Sequence, residues 1–182
     1  MRELEYPFDS EAVLKNAKKL RRLLLAEKTS RIRKRVAVLG GSTTHDILRI
    51  LELFLLNQGI EPEFYESEYG QYYEDAMFEN KRLEAFQPEV IYIHTSSRNI
   101  TSFPAPGADK ASVDAMLENW FCRFQGMWEA LRNRYGCPVI QNNFEPPFYR
   151  IMGNKESSDI SGRIRFLTRL NERFYQYADT HD

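Results

Sequence analysis

The stretch Val36-Ala37-Val38-Leu39-Gly40-Gly41-Ser42-Thr43-Thr44 joins a short apolar run, two glycines, a small hydroxyl and the start of a helical pattern. A strand that ends in a glycine-rich turn and continues into a helix is typical of open α/β sheets. The turn then lies at the C-terminal edge of the sheet, where these folds bind their ligands. Its free backbone N–H groups would stabilise negative charge, either a bound phosphate or the oxyanion of an acyl-transfer intermediate.

The rest of the chain alternates between the periodicities of helices and strands. The helical pattern predicts helices over residues 10–27, 44–58, 112–135 and 158–178, with shorter helical pieces within 69–86. Apolar runs next to turn residues predict strands over residues 36–39, 62–66, 90–94 and 137–142, with loops over 97–109 and 144–154. This alternation predicts a parallel sheet covered on both faces, a three-layer α/β/α fold of flavodoxin-like type in one domain spanning residues 1–182.

Composition excludes several classes of protein. The 182 residues are 42% hydrophobic and 13% aromatic, which is typical of a globular chain with a sizeable core. A formal net charge of -1 gives no general attraction to nucleic acid or anionic lipid. Residues 15–35 are nonetheless strongly basic, with Lys28 among the cations, and residues 61–84 are acidic and aromatic. We expect a solvated basic face on the first helix; a nucleic-acid-binding arm is the weaker alternative, because leucines share that stretch.

The cysteines and the first residues predict the compartment. Cys122 and Cys137 form no C-x-x-C pair and have no histidine at metal-binding spacing, so we predict neither a disulfide framework nor a metal site, and no cofactor. Residues 1–5 are charged where a secretory signal would be apolar, and no apolar run approaches the length of a membrane span. We therefore expect a cytoplasmic protein without membrane association.

Polar residues and glycines follow each predicted strand at its C-terminal end. Ser42 follows the first strand, Gly70 the second, residues 95–99 the third and Asn142 the fourth. Because the carboxyl ends of parallel strands meet at one edge of the sheet, we predict a binding site there. The predicted ligand contacts are Gly40, Gly41, Thr43, Thr95, Arg98 and Asn142.

Three segments together resemble a known family. Residues 40–44, residues 61–72 (Glu-Pro-Glu-Phe-Tyr-Glu-Ser-Glu-Tyr-Gly-Gln-Tyr) and residues 91–100 look like the N-terminal domain of FkbH-like proteins, which is itself similar to the SGNH (GDSL-type) hydrolases. The resemblance covers nearly the whole chain, and its long second motif is the most specific part. It implies that Ser42 is the nucleophile and that the Gly70 N–H and the Asn99 amide are oxyanion donors. The implied substrate is an acyl or ester group, free or linked to a carrier protein, and the implied activity is that of an esterase or acyltransferase.

The chain departs from that pattern in several places. Gly41 replaces the usual aspartate before the serine, and Ser97 and Ile100 replace a glycine and an aspartate of the third motif. The Asp-x-x-His that supplies the base in SGNH enzymes is absent, and the last strand of the resemblance would lie beyond residue 182. So would the haloacid-dehalogenase-type domain with which FkbH-like proteins continue. The alternative function is therefore a non-catalytic docking domain of a glyceryl-loading FkbH-like protein, whose basic first helix would meet an acidic acyl carrier protein or a partner domain.

Simpler roles remain open for the same residues. Ser42 could cap the following helix, and Asn99 could hold its own loop. His45 is expected at the surface and His94 in the core, although either lies near the predicted site. Nucleotide or phosphate binding at the glycine turn is a weaker possibility, because no P-loop or dinucleotide-binding motif is present.

Overall fold

The computed structural model describes residues 1–27 and 29–181, so Lys28 of the basic stretch and Asp182 lie outside the described residues. Its strands are β1 (Ile32–Gly40), β2 (Ile60–Glu66), β3 (Val90–His94) and β4 (Val139–Gln141). They form a parallel sheet of order β2-β1-β3-β4. The predicted parallel α/β sheet is confirmed.

In the described residues the α-helices are α1 (Ser10–Ala26), α2 (His45–Asn57), α3 (Tyr72–Met77), α4 (Lys81–Phe86), α5 (Lys110–Tyr135) and α6 (Arg163–Ala178). Short 3-10 turns occur at Arg2–Leu4, Ser97–Asn99 and Gly153–Ser157. No helix in the described part of the chain is both long and apolar enough to cross a membrane.

The two faces of the sheet have separate cores. Ala37 and Leu39 of β1 point to one face, where they join a cluster that includes Phe124 of α5 and Phe166 of α6. Val38, on the alternate positions of β1, points to the other face and packs against Leu48 of α2. This period-2 alternation places helices on both sides of the strands, so the three-layer architecture is confirmed.

Helix α1 packs on α2 and not on the sheet. Leu20 and Leu24 of α1 form a third cluster with Leu53 and Leu56 of α2. Helix α2 therefore buries apolar side chains on two sides, which explains why its sequence is apolar nearly all the way round. The N-cap residue of α1 is Asp9, whose carboxylate accepts a hydrogen bond from the Ala12 N–H.

Several boundaries differ from the sequence-based prediction. Strand β1 begins at Ile32 and not at residue 36, because its charged first half pairs with β2 in the register Ile32↔Ile60 while its side chains remain largely in solvent. Helix α6 begins at Arg163 and not at residue 158, since residues 153–157 form a 3-10 turn and Gly162 is the N-cap residue. Strand β4 is shorter than predicted, and α5 begins earlier, after the N-cap Asp109.

Candidate functional site

The glycine turn after β1 is anchored to both neighbouring strands. The Gly41 N–H donates to the His94 carbonyl at 2.8 Å, and the Gly40 N–H donates to Ser67 Oγ, after β2, also at 2.8 Å. A Cβ atom on Gly40 would lie 2.7 Å from Thr44 Cγ2 and 2.8 Å from the Ser42 carbonyl oxygen, closer than van der Waals contact allows. The turn is therefore tightly constrained, and glycine at position 40 is a steric requirement.

Ser42 lies half-buried in this turn with an uncommitted hydroxyl. Its Oγ makes no hydrogen bond to any residue among 1–27 and 29–181. The alternative that Ser42 caps α2 is wrong: the helix begins at His45, and its N-cap residue is Thr44, whose side chain makes no capping bond. Thr44 Oγ1 instead donates to Glu66 Oε1 at 2.7 Å, while Thr43 is exposed.

Asn99 connects the loop after β3 to the glycine turn. Its Nδ2 donates to the Gly41 carbonyl at 2.8 Å, and its Oδ1 accepts from the Ser96 N–H at 2.9 Å. The alternative that Asn99 holds its own loop is therefore correct, but the same side chain also binds the turn that carries Ser42. A carboxamide has two N–H groups, so one remains for a ligand after the bond to Gly41.

The position of Asn99 explains the glycine at 41. A Cβ atom on Gly41 would lie 2.5 Å from both Nδ2 and Oδ1 of Asn99. No aspartate fits at position 41 while Asn99 keeps this place. The departure from the Gly-Asp-Ser pattern thus has a local steric cause.

Gly70 lies in the turn that follows β2. Its φ of 74° is in the left-handed region, which favours glycine. The turn is closed by a hydrogen bond from the Gln71 N–H to the Glu68 carbonyl, and the Gly70 N–H itself donates to no described residue. Gly70 therefore offers a backbone donor on the β2 side of the glycine turn.

The remaining predicted ligand contacts differ in how many hydrogen bonds or ion pairs they already form within the protein. Thr95 is buried, and its N–H donates to Asn142 Oδ1 while Asn142 Nδ2 donates back to the Thr95 carbonyl. Gln141 Nε2 donates to Thr95 Oγ1 as well. Arg98 is exposed and forms no ion pair within the described residues. The bonds between Thr95 and Asn142 join the loops after β3 and β4, so a contact to ligand from either residue stays a prediction.

Two histidines lie near the turn in different environments. His45 is 71% exposed, and its Nδ1 is 3.7 Å from Glu66 Oε2. His94 is half-buried and its Nδ1 lies 2.9 Å from the Tyr92 hydroxyl oxygen. Burial lowers the pKa of His94, and the charge of Glu145 only partly opposes this. His94 is therefore neutral at pH 7.

Three side chains of this region were not identified from the sequence: Glu66, Ser67 and Glu145. Glu66 and Ser67 belong to the second motif of the resemblance, but no spacing rule indicated that they would bind Thr44 and the Gly40 N–H. Glu145 Oε1 accepts hydrogen bonds from the N–H and the hydroxyl of Ser97 and so fixes the start of the Asn99 turn. Within the described chain, no three His, Cys, Asp or Glu residues cluster in a way that could hold a metal ion.

The three predicted site residues lie at one edge of the sheet. Ser42, Gly70 and Asn99 follow three adjacent strands, and hydrogen bonds join the β1 turn directly to the segments after β2 and β3. Such a set can bind a polarised carbonyl or a small anion. Within the described residues no base hydrogen-bonds the Ser42 hydroxyl.

Comparison with known proteins gives a fold relationship. No protein-family model matches the chain, and a search of curated proteins gives no significant match. Among solved structures, the chain is similar to the N-terminal part of the protein BF1531 from Bacteroides fragilis, described as containing a phosphatase domain complexed with Mg. The TM-score is 0.71 at 18% identity, over 91% of this chain and 43% of that chain. At this identity the likeness extends to the fold alone, and the chain spans less than half of its structural neighbour.

Proposed function

We propose that this domain binds an acyl or ester group at the C-terminal edge of its sheet and is an SGNH-like esterase or acyltransferase centred on Ser42. The acyl carbonyl lies against the Ser42 hydroxyl, and its oxygen accepts hydrogen bonds from the Gly70 N–H and the second Asn99 N–H. In the covalent step, Ser42 Oγ attacks the carbonyl carbon and its proton passes to a base. When the tetrahedral intermediate collapses, the carbon–oxygen or carbon–sulfur bond breaks and the base returns the proton to the departing alcohol or thiol. Water or an acceptor alcohol then takes the acyl group from Ser42 and restores its hydroxyl.

The observation that carries this proposal is that three polar groups at this edge of the sheet have hydrogen-bonding capacity left for a ligand. The Ser42 hydroxyl and the Gly70 N–H have no partner among the described residues, although the groups around them are hydrogen-bonded. Asn99 is held from two sides and keeps one N–H. Donors that are fixed before the ligand arrives cost little to reorganise when charge develops on the carbonyl oxygen.

The proton acceptor we assign is His45. It follows Ser42 by three residues, and Glu66, itself bound by Thr44, lies beside its Nδ1. In the acyl-transfer step, His45 accepts the Ser42 proton through one imidazole nitrogen. His45 is 71% exposed, and to act as the base its side chain must rotate away from Glu66 and over the turn.

Ligand binding is tested with an uncleavable ketone analogue of an acyl-pantetheine thioester, titrated into ¹⁵N-labelled protein. We expect saturable shifts of the Gly70 amide and of the Asn99 side-chain amide. The Asn99→Ala variant should bind roughly tenfold more weakly, the loss expected for one hydrogen bond to a polarised oxygen. Shifts confined to residues away from the turn would contradict the proposal.

A second candidate function is docking to an acidic carrier protein through α1. Lys15, Lys18 and Arg22 are exposed on this helix, and none forms an ion pair with a described residue. Leu14 and Leu23 are exposed beside them. A basic surface with exposed apolar side chains suits an acidic partner that carries its own apolar patch.

Docking is tested by titration with an acyl carrier protein at low and high salt. Charge reversal by Lys18→Glu should abolish binding at low salt, whereas Lys81→Glu, at an exposed lysine on α4, should leave it unchanged. Binding that is insensitive to both salt and Lys18→Glu, or no binding at low salt, would contradict docking through α1.

A further inference from the structure

A cleft of about 640 Å³ opens beside Asn99. The cleft lies between the start of α3, the segment around and after the 3-10 turn that follows β3, and one face of α5. The lining side chains include Tyr72, Asn99, Ser102, Asn119, Trp120 and Arg123. Sites for small molecules in proteins measure about 300–1,000 Å³. Since Asn99 also belongs to the proposed acyl site, the cleft and the glycine turn share a wall.

The only charged side chain that lines the cleft within the described residues is Arg123. No described carboxylate forms an ion pair with its guanidinium. The guanidinium carbon instead lies 3.4 Å from the centroid of the Tyr73 ring. A guanidinium that lies over an aromatic face keeps its N–H groups in its own plane, where they can reach a carboxylate or phosphate at the edge of the stack.

The walls on either side of Arg123 are fixed. Tyr72 is buried, and burial raises the pKa of its hydroxyl while the positive charge of Arg123 opposes that shift. The Trp120 indole N–H donates to the Ser102 carbonyl at 3.2 Å, which joins α5 to the segment that follows Asn99. The cleft is therefore a formed site with an apolar wall, neutral polar groups and one cation.

From this we infer that the cleft holds the distal part of the acyl group, and that the preferred substrate carries an anionic group, carboxylate or phosphate, bound by Arg123. The inference rests on the proposed function, because it takes the carbonyl of the same ligand to lie at Ser42 and Asn99. It adds a substrate class: acyl groups with a negatively charged terminus.

The test compares three ketone analogues of an acyl-pantetheine thioester that differ only at the acyl terminus, which is a carboxylate, a phosphonate or a neutral amide. Signals of the Gly70 amide report the proposed acyl site, and the indole N–H of Trp120, one of two tryptophans, reports the cleft. We expect at least one anionic analogue to bind about tenfold more tightly than the amide at low salt, and the tighter of the two identifies the anion.

Variants at Arg123 separate the cation from the rest of the cleft. In Arg123→Gln the anionic preference should vanish while the amide analogue binds as before, and Arg123→Lys should keep part of the preference, because it retains the charge without the planar fork. Arg150→Gln, at an exposed arginine elsewhere, should change nothing. The dispersion of amide signals in the ¹⁵N NMR spectrum of each variant shows whether the variant is folded.

The outcomes distinguish the inference from the proposed function. Equal affinity of all three analogues, with shifts at Gly70, overturns the inference and leaves the proposed function standing. A preference for the anion that Arg123→Gln preserves also overturns the inference. Shifts of Trp120 with the anionic analogues but none at Gly70 support an anion site in the cleft and contradict the proposed function.

Discussion

Gly41 and Asn99 occupy adjoining space, and this contact defines the glycine turn. A methyl group at position 41 would lie 2.5 Å from the Asn99 amide, so the amide must move and its bond to the Gly41 carbonyl must break. We predict that Gly41→Ala lowers the free energy of unfolding by about 1–3 kcal/mol, the usual cost of overpacking.

A double-mutant cycle with Asn99→Ala isolates this contact. With the amide removed, Gly41→Ala should cost markedly less than in the wild-type background, as measured by urea unfolding of all four proteins. Additive effects of the two substitutions would mean that Asn99 is not what excludes a side chain from position 41.

At the scale of elements, the N-terminus of α6 depends on one buried carboxylate. Glu156 is 1% exposed, and it accepts hydrogen bonds from the N–H groups of Met152 and Arg163 at 3.0 and 2.7 Å. Burial alone would raise the pKa of Glu156, but these backbone donors outweigh it and hold the pKa below the ordinary value. The negative charge also lies at the positive end of the helix dipole.

The Glu156 carboxylate should make the stability of the protein sensitive to acid. Because the folded protein binds the Glu156 proton less tightly than the unfolded chain, the stabilisation is complete above the unfolded-state pKa and is lost as the pH falls through the folded-state pKa. Glu156→Gln should cost about 1–3 kcal/mol at neutral pH, and the difference from wild type should shrink below about pH 4.5. Urea unfolding of both proteins at neutral pH and below about pH 4.5 measures the difference in free energy of unfolding. A difference that is the same at the two pH values would contradict the prediction.

The same element shows why its start could not be predicted from the sequence. Residues 158–162 carry no proline and continue into an apolar periodicity, so the pattern extends the helix back to Ser158. The structure stops it at Gly162, where a Cβ atom would lie 2.2 Å from the Glu156 carbonyl oxygen. That close approach is a tertiary contact and leaves no trace in local periodicity.

At the scale of the whole molecule, α1 is an outer layer whose apolar side faces α2 and the N-terminal turn that carries Leu4. The sheet and the helices on its far face share a separate core. We predict that the amides of α1 exchange hydrogen through a local opening, while those of β1, β3 and α5 exchange only on global unfolding. Leu24→Ala should speed exchange in α1 selectively; uniform acceleration across all elements would contradict a separate layer.

The sequence predicted the sheet and its two covering layers because parallel strands and amphipathic helices carry strong periodic signals. It also predicted that Ser42, Gly70 and Asn99 follow three successive strands of the chain. It could not predict that Asn99 binds Gly41, that Thr44 and His45 both lie against Glu66, or that Arg123, on a different element from Asn99, lines a cleft beside it. These are side-chain contacts between distant elements, which local patterns do not encode.

The most direct test of a Ser42-centred acyl site is labelling with a serine-directed fluorophosphonate, followed by mass mapping of the modified peptide. The account predicts one label, on the peptide that contains Ser42, which disappears in Ser42→Ala, slows in Asn99→Ala and is unchanged in Ser158→Ala, at an exposed serine elsewhere. Labelling of the intact chain no faster than that of Ser42→Ala would contradict a reactive seryl centre at this turn.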